Sequence, residues 1–195
     1  MKGCEIMNVY DFDKTIYDGD STFHFLMYCA KKHKEVRRML PRIAFRGIGF
    51  ICGIIKKQDF KEDMFSFLSV IDTKKELELF WSEKITGIKQ WYKDNQREDD
   101  IVITASPEFL VKCATDMLGI KYIMGSPVDM NTGKYSGKNC HGEEKVVRFY
   151  DAFPNGKIDS FYSDSYSDTP LAKISQKAYL VKGDKLLAWD ENKLK

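Results

Sequence analysis

Two aspartates, Asp11 and Asp13, are separated by one residue and follow directly after the apolar run of residues 6–10. Such a run predicts a buried strand, and two carboxylates at its end repel each other unless a cation lies between them. The motif Asp11-Phe12-Asp13-Lys14-Thr15 therefore indicates a divalent metal ion and a carboxylate that is positioned to react. An acidic turn without chemistry is an equally good interpretation of so short a motif.

A second strand-like run, residues 101–104, ends in Thr104 and is followed by Ala105, Ser106 and Pro107. The Thr104 hydroxyl and the main-chain N–H groups that follow it can hold phosphate oxygens at the start of a helix. The same sequence is also typical of an ordinary helix start, with a hydroxyl cap ahead of proline. The two interpretations are compatible.

A lysine near the start of a predicted helix is the third feature. Lys145 follows two glutamates at a position where the helix dipole disfavours a cation, which suggests that it has a specific task. Lys138 competes for the same task, and most lysines are simply solvated.

The fourth feature is the acidic pair Asp164 and Asp168, which follows the strand-like run of residues 158–163. Oxygen ligands from several loops suit Mg²⁺, which binds through a few carboxylates, water and substrate phosphate. Asp164 is the expected direct ligand, and Asp168 is expected to orient a water molecule or Lys145. An acidic surface loop is the alternative.

Strand-like and helical patterns alternate in the second half of the chain, which predicts an α/β fold with helices on both faces of a parallel sheet. Ligands bind beyond the carboxyl ends of the strands in such sheets, where Asp11, Asp13 and Thr104 would lie. The predicted strands are residues 5–10, 101–104, 122–125, 158–163 and 178–181, and the predicted helices are residues 108–118, 142–153 and 170–175.

Between the first two strands the chain has amphipathic helical patterns and no strand pattern, which predicts a helical insertion of three or four helices. Pro41 and three glycines are expected to separate these helices. The aromatic stripes are expected to be core rather than ligand-binding. Residues 128–135 predict a β-hairpin that turns at Asn131-Thr132-Gly133. The three glycines are Gly47, Gly49 and Gly53.

The chain has 195 residues, 43% of them apolar and 31% charged, and a formal net charge of +2. This composition is typical of a globular protein, and its charge balance gives no indication of a nucleic-acid partner. Five scattered cysteines without metal-binding spacing favour a reducing compartment. No signal-peptide pattern precedes the first strand, and the longest apolar stretch, residues 43–55, is too short to span a bilayer. A cytoplasmic location is therefore expected.

The four features occur in the order DxDxT, strand-terminal threonine, lysine and DxxxD, which resembles the haloacid dehalogenase-like (HAD) hydrolase superfamily along the whole chain. The sequences TASPEF and GKNCHGEEK look most like subfamily IB, the branch of phosphoserine phosphatase and related small phosphatases. The resemblance implies a Rossmann-like parallel sheet core, formed by residues 1–17 and 96–195. It also implies a helical C1-type cap, residues 18–95, inserted after the first strand.

That resemblance implies a Mg²⁺-dependent phosphomonoester hydrolase of small phosphorylated metabolites. Asp11 is implied as the nucleophile that forms an aspartyl-phosphate, and Asp13 as the general acid and then the general base. The implied Mg²⁺ ligands are Asp11, the main-chain carbonyl of Asp13, and Asp164. Positive charge from Mg²⁺ and from a lysine would offset the repulsion between the nucleophile and the phosphate.

The phosphate-binding residues that the resemblance implies are Thr104, Ala105 and Lys145, with Asp168 beside the lysine. Lys145 is preferred to Lys138 because the tetrad GEEK fits the family pattern better. Lys14 is a departure from the pattern, since the family usually has a small residue after its second aspartate.

Substrate selectivity depends on two positions in the implied cap. Asp20 occupies the place of an acidic residue that binds the amino group of phosphoserine in the family. Phe67 stands roughly where a cap arginine would bind the carboxylate. Losing that bidentate partner weakens carboxylate binding, so phosphoserine is expected to be a poor substrate.

Residues 31–57 contain nine lysines and arginines against one acidic residue, Glu35, and they enclose the apolar run 43–55. A basic, apolar helix can bind an anionic membrane surface or a lipid phosphate, but a solvated helix face above a buried helix is the favoured interpretation. Three other functions stay open: a phospholipid or lipid-headgroup phosphatase that uses the basic apolar cap, a phosphotransferase of the same fold and, less favoured, a receiver-like phosphoacceptor domain in signalling. The sequence does not indicate the oligomeric state.

Overall fold

The computed structural model describes residues 6–190, and these contain one six-stranded sheet. The strands are β1 (Ile6–Tyr10), β2 (Ile101–Pro107), β3 (Tyr122–Ser126), β4 (Lys157–Ser163), β5 (Ser175–Lys182) and β6 (Lys185–Ala188). Their order across the sheet is β3-β2-β1-β4-β5-β6, and every pair is parallel except β5 with β6. The predicted α/β fold is confirmed. The predicted start of β1 at Glu5 lies outside the described residues.

Strand β6 was not predicted from the sequence. It forms a hairpin with β5 in which Lys182 is paired with Lys185 and Gly183 has a φ of +59°, a conformation that favours glycine. All four residues of β6 are exposed, so the strand is not one of the buried apolar runs on which the strand predictions depended.

The chain between β1 and β2 contains five α-helices among the described residues, one or two more than predicted, and no strand. They are α1 (Ser21–Lys32), α2 (Lys34–Ile51), α3 (Lys57–Phe65), α4 (Thr73–Lys84) and α5 (Gln90–Lys93), with 3-10 turns at Ser66–Val70 and Ile85–Gly87. We call residues 18–95 the helical insertion; its boundaries as a separate cap stay a prediction. Three further helices, α6 (Glu108–Leu118), α7 (Glu143–Ala152) and α8 (Thr169–Ile174), match the predicted ones to within one residue at each end.

The expected break at Pro41 is wrong, because this proline lies inside α2 together with Gly47 and Gly49. The two glycines allow close packing rather than ending the helix. A Cβ on Gly49 would lie 2.7 Å from Cδ1 of Ile55, and a Cβ on Gly47 would lie 3.3 Å from the ring of Phe60. Gly53 does follow the end of α2, with a φ of +73°.

One continuous apolar core joins the sheet to part of the helical insertion. Trp81 of α4 is fully buried, its ring centroid lies 5.8 Å from that of Phe12 and 5.3 Å from that of Tyr17, and its Nε1 donates a 2.8 Å hydrogen bond to the carbonyl of Leu110. The prediction that the aromatic stripes are core is therefore confirmed for Trp81. Phe23, which belongs to another stripe, is exposed.

The second half of α2 departs from the expected buried helix. Ile43 is buried, but four large apolar side chains that follow it are exposed. The physical reason is that α2 packs against α1, α3 and the 3-10 turn at Ser66–Val70, and these contacts leave the side chains at 45, 48 and 51 uncovered. No helix among residues 6–190 is long and apolar enough to cross a membrane. The exposed side chains are Phe45, Ile48, Ile51 and Ile54.

The predicted hairpin at residues 128–135 is reduced to a turn. One antiparallel bridge pairs Val128 with Tyr135, and the amide of Asp129 donates a 2.8 Å hydrogen bond to the carbonyl of Lys134. Gly133 has a φ of +74°, and a Cβ there would lie 2.3 Å from the carbonyl oxygen of Phe65. The turn therefore packs closely against the helical insertion.

The core between the insertion and the sheet can be tested by replacing two tryptophans. Trp81→Phe is expected to lower the free energy of unfolding by about 1 kcal/mol more than Trp91→Phe, because only the first loses a hydrogen bond. Trp91 is the matched control, since its buried Nε1 has no hydrogen-bond partner among the described residues. Urea unfolding measures both values. Equal losses would contradict a stabilising bond from Trp81 to Leu110.

Candidate active site

The carboxyl ends of the central strands meet at one edge of the sheet because β1 lies between β2 and β4. Asp11 and Asp13 follow β1, Thr104 lies in β2, and Asp164 follows β4. A cavity of about 340 Å³ opens at this edge. Its lining residues are Asp11, Asp13, Lys14, Asp20, Thr22, Lys57, Lys61, Met64, Phe65, Thr104, Ala105, Ser106, His141, Lys145, Asp164, Ser165, Ser167 and Asp168.

Lys145 forms a buried ion cluster with two aspartates. Its Nζ lies 2.8 Å from Oδ1 of Asp11 and 2.7 Å from Oδ2 of Asp168, and the residue is 1% exposed. Burial lowers the pKa of Lys145, but the two carboxylates raise it further, so its pKa lies above the ordinary value and the ammonium form is favoured. The competing candidate, Lys138, has an 85% exposed side chain that lies 3.8 Å from Glu144.

The start of α7 brings Lys145 into this position. Gly142 precedes the helix with a φ of +60°, which favours glycine, and the chain then turns directly into the helix. Glu143 and Glu144 occupy the first turn, where acidic side chains suit the helix dipole. Asp168 is held in turn by the hydroxyl of Ser163, which donates a 2.8 Å hydrogen bond to the same Oδ2 that binds the lysine.

Asp11 is fixed by its neighbours on both sides of the loop. Its amide donates a 2.9 Å hydrogen bond to the carbonyl of Tyr162 in β4. The hydroxyl of Thr15 lies 3.4 Å from Oδ2 of Asp11 and accepts a 3.0 Å hydrogen bond from the amide of Asp164, which ties the two loops together. Burial raises the pKa of Asp11 above its ordinary value, and Lys145 opposes that shift.

Lys14 shows the strain in this loop. Its φ of +58° lies in the left-handed region, where a residue with a side chain is disfavoured. Its amide donates a 2.9 Å hydrogen bond to the carbonyl of Gly19, which holds the sharp turn after Asp13. The conformation gives a physical reason for the small residue that the family resemblance places here.

Asp13 is surrounded by hydrogen-bond donors. Its Oδ1 accepts a 2.6 Å bond from the amide of Ser21 at the start of α1, and its Oδ2 accepts a bond from the hydroxyl of Ser106. The Ser106 hydroxyl also lies 3.2 Å from that of Thr22. Burial and the neighbouring Asp20 raise the pKa of Asp13 to about 6, and the serine bonds limit the rise. Asp20 itself caps α1 through a 2.9 Å bond from the amide of Phe23.

Thr104 and Ala105 lie at the bottom of the cavity. Thr104 is 1% exposed, and its Oγ1 accepts a 3.1 Å hydrogen bond from the amide of Ser106. The carbonyl of Ala105 accepts bonds from Nζ of Lys61 at 3.0 Å and from the hydroxyl of Ser126 at 2.9 Å. The main chain of this segment is therefore held from both the sheet and the helical insertion.

Lys61 is a cavity residue that sequence reasoning missed. Its Nζ reaches across from α3 to Ala105 and also lies 3.1 Å from Oδ1 of Asn139. Burial, and then the charge of Lys57, lower its pKa to about 8. No spacing in the sequence indicates this contact, because Lys61 and Asn139 are brought together only by the fold.

Phe67 was expected to lie at a position that determines substrate specificity, but it is not among the residues that line the cavity. It is 1% exposed, and its ring centroid lies 5.7 Å from that of Phe25 in the core. The 3-10 turn that contains it points this side chain inward. The insertion contributes Lys57, Lys61 and two apolar residues of α3 to the cavity instead.

The cavity presents carboxylate and carbonyl oxygens, the type of ligand that Mg²⁺ prefers. Three carboxyl groups, those of Asp11, Asp13 and Asp164, line the cavity, and burial raises the pKa of each. A bound cation would offset the free-energy cost of keeping these groups charged away from water. The Asp164 carboxylate has no hydrogen-bond partner within residues 6–190, although its main-chain groups do. The described residues contain no cluster of three or more His, Cys, Asp or Glu placed to hold a metal. A main-chain carbonyl, that of Asp13, would complete the set.

Comparison with known proteins agrees with this geometry. The family of haloacid dehalogenase-like hydrolases matches residues 9–173, so the chain belongs to that family, which confirms the resemblance of its motifs. No curated protein matched the chain. A protein of unknown function from Bordetella pertussis Tohama I is similar, with 19% identity and a TM-score of 0.76 over 91% of this chain and 90% of that one.

Two phosphoserine phosphatase-like structures are also similar. One is a phosphoserine phosphohydrolase-like protein from Francisella tularensis, with 15% identity and a TM-score of 0.57 over 90% of this chain and 86% of that one. The other is a phospho-aspartyl intermediate analogue of phosphoserine phosphatase, with 14% identity and a TM-score of 0.52 over 91% of this chain and 86% of that one. At these identities the likeness establishes a shared fold.

The buried ion cluster predicts a difference between two lysine variants. Lys145→Met is expected to lower the free energy of unfolding by about 3 kcal/mol, because it leaves the Asp11 and Asp168 carboxylates buried without their cation. Lys138→Met is expected to change it by less than about 0.5 kcal/mol, since that side chain is exposed. Urea unfolding in EDTA measures both. A Lys145→Met protein as stable as the control would contradict the cluster.

Proposed function

We propose that this protein is a Mg²⁺-dependent phosphatase that hydrolyses small phosphate monoesters through an aspartyl-phosphate on Asp11. The observation that carries the proposal is the Lys145 ammonium, which lies 2.8 Å from the Asp11 carboxylate beside the cavity. A carboxylate is a poor nucleophile toward a phosphate dianion unless nearby positive charge offsets their repulsion. Membership of a hydrolase family supports an enzyme over a receiver-like signalling domain.

The reaction would proceed in two steps. An oxygen of Asp11 attacks phosphorus and the bond to the leaving oxygen breaks, while Asp13 donates its proton to that oxygen. A water molecule then attacks the phosphorus of the aspartyl-phosphate while Asp13 takes up a proton from it. The bond between phosphorus and the Asp11 oxygen breaks, which regenerates the Asp11 carboxylate and releases inorganic phosphate. The pKa of Asp13, raised by burial to about 6, suits a group that gives and takes a proton near neutral pH.

The other residues of the cavity would bind the phosphoryl group. The Thr104 hydroxyl and the main chain at Ala105 would hold its oxygens, and Lys145 would neutralise its charge, with Asp168 keeping the ammonium in place. Mg²⁺, when held by Asp11, Asp164 and the carbonyl of Asp13, would supply further positive charge to the phosphoryl oxygens.

The helical insertion would act as the cap of this site. Helix α3 supplies one wall of the cavity through Lys57, Lys61, Met64 and Phe65. A cytoplasmic location is part of the proposal, because the described cysteines are free thiols, as suits a reducing compartment. They are Cys29, Cys52, Cys113 and Cys140.

Asp11→Asn is expected to lower kcat for an aryl phosphate by about a thousandfold or more, because an amide cannot form the aspartyl-phosphate. Removing Mg²⁺ with EDTA is expected to abolish hydrolysis, and adding Mg²⁺ back is expected to restore it. Asp18→Asn is the matched control, since Asp18 is an exposed aspartate of the same loop. Release of the aryl alcohol measures the rate.

Full activity of the Asp11→Asn variant, or activity of the unchanged protein that EDTA does not reduce, would contradict the proposal. A competing alcohol in the same assay separates hydrolysis from phosphotransfer. A hydrolase releases aryl alcohol and inorganic phosphate in equal amounts, whereas a phosphotransferase releases less inorganic phosphate.

The charges of the residues that line the cavity affect which substrates it would bind. Lys57 and Lys61 make the α3 side cationic, and Asp20 is already engaged as the cap of α1. Among the described residues, no arginine lines the cavity, so none can form two parallel hydrogen bonds to a substrate carboxylate there. An ammonium group of the substrate would face the two lysines. We therefore expect phosphoserine to be a poor substrate relative to a carboxylate-bearing monoester without an amine.

Phosphoserine and 3-phosphoglycerate form a matched pair, since a hydroxyl in the second replaces the ammonium group of the first. The hydroxyl compound is expected to have a kcat/KM about tenfold higher than phosphoserine, the effect of one unfavourable charge contact. Lys61→Met should reduce this preference, and Lys56→Met, which changes an exposed lysine outside the cavity, should retain it. Phosphoserine among the best substrates of a panel would contradict the expectation.

A further inference from the structure

The end of α2 presents an apolar surface that the phosphatase proposal does not use. Phe45, Ile48, Ile51 and Ile54, which we call the α2 tip, are 75%, 59%, 82% and 81% exposed. Isolated exposed apolar residues are ordinary on protein surfaces, but a contiguous group marks an interaction site. These four lie within ten residues of the chain, around the end of one helix.

The α2 tip is held in this exposed arrangement by specific contacts. The rings of Phe50 and Phe60 stack with centroids 5.4 Å apart, and Arg46 pairs with Asp63, so α2 is fastened to α3 on its inner side. The amide of Ile54 donates a 2.9 Å hydrogen bond to the carbonyl of Gly49, which closes the turn after the helix. The inner contacts therefore leave the tip side chains directed outward.

The surface beside the α2 tip is strongly basic. Lys34, Arg37 and Arg38 are exposed, and steps of three or four residues lead from Lys34 through Arg37 or Arg38 and Pro41 to Phe45, so the basic residues and the start of the tip share one face of α2. Within residues 6–190, none of these three cations has a carboxylate within 4 Å. Residues 31–57 as a whole carry nine lysines and arginines against one glutamate.

We infer that the α2 tip docks onto an anionic lipid bilayer. Its apolar side chains enter the headgroup boundary, and the basic face of α2 contacts lipid phosphates. Charge complementarity favours this partner over a second copy of the chain, since two such faces would bring like charges together. The contact is peripheral, because no helix among the described residues is long and apolar enough to cross the bilayer.

Co-sedimentation with vesicles tests the inference without requiring enzymatic activity. The unchanged protein is expected to bind phosphatidylcholine vesicles that contain phosphatidylglycerol, to bind vesicles of phosphatidylcholine alone far more weakly, and to lose binding as salt rises. Ile51→Glu with Ile54→Glu is expected to lower the partition constant by about tenfold or more. Lys34→Glu with Arg38→Glu is expected to weaken binding to anionic vesicles selectively.

A matched control separates the apolar contact from net charge. Val70→Glu with Met117→Glu makes the same charge change at two exposed apolar residues outside α2. This double variant is expected to keep most of the binding. Circular dichroism checks that each variant is folded, and hydrolysis of a soluble aryl phosphate reports independently on the proposed enzyme.

Three results would overturn the inference. The first is absence of binding by the unchanged protein to anionic vesicles. The second is an equal loss of binding in the tip variant and in its control. The third combines two observations: the unchanged protein is a dimer in analytical ultracentrifugation and the tip variant is not, while the tip variant still binds lipid. The α2 tip would then be an interface between two copies of the chain.

Discussion

The buried ion cluster of Lys145 with Asp11 and Asp168 is the interaction on which the rest of the site depends. Each charge loses its hydration, and only a close opposite charge can compensate for that loss. The lysine lies 2.8 and 2.7 Å from the two carboxylates, so the loops after β1 and β4 and the start of α7 must be positioned together. The adjacency of β1 and β4 and the glycine at position 142 satisfy this requirement. Strain at Lys14 is tolerated because the same network fixes the loop.

Two helices of the insertion contact different parts of the rest of the protein. Helix α4 is joined to the sheet core through Trp81, which contacts Phe12 in the loop after β1 and donates a hydrogen bond to Leu110 in α6. Helix α3 reaches the cavity through the Lys61 ammonium, whose burial lowers its pKa. Helix α3 is also packed, since its last residue, Phe65, is buried in the same apolar core as Trp81.

The sequence was sufficient for strands that are short apolar runs and for helices with a clear apolar period. Strands β1 and β2, for example, are buried along almost their whole length, as a continuous apolar run predicts. Strand β6 was missed because all of its residues are exposed, and Pro41 was misjudged because α2 continues through this proline while it packs against α1 and α3. The four motif groups could be predicted because each lies at the end of a strand or the start of a helix.

Contacts between distant segments could not be predicted in the same way. Ser106 was visible only as a helix cap, yet its hydroxyl bonds to Asp13, 93 positions away in the chain. The contacts of Lys61 with Ala105 and Asn139 also join segments that are far apart in the chain. The Phe67 side chain points inward because it lies in a 3-10 turn, which has no distinct sequence signal. Helix α2 gives the converse case. The apolar run 43–55 was recognised inside a basic segment, but a sequence pattern cannot tell whether an apolar face meets a neighbour, and here four of its large side chains are mostly exposed. Because the hydration of four exposed apolar side chains is unfavourable, a partner that covered them would remove a cost that the packing of the fold leaves in place.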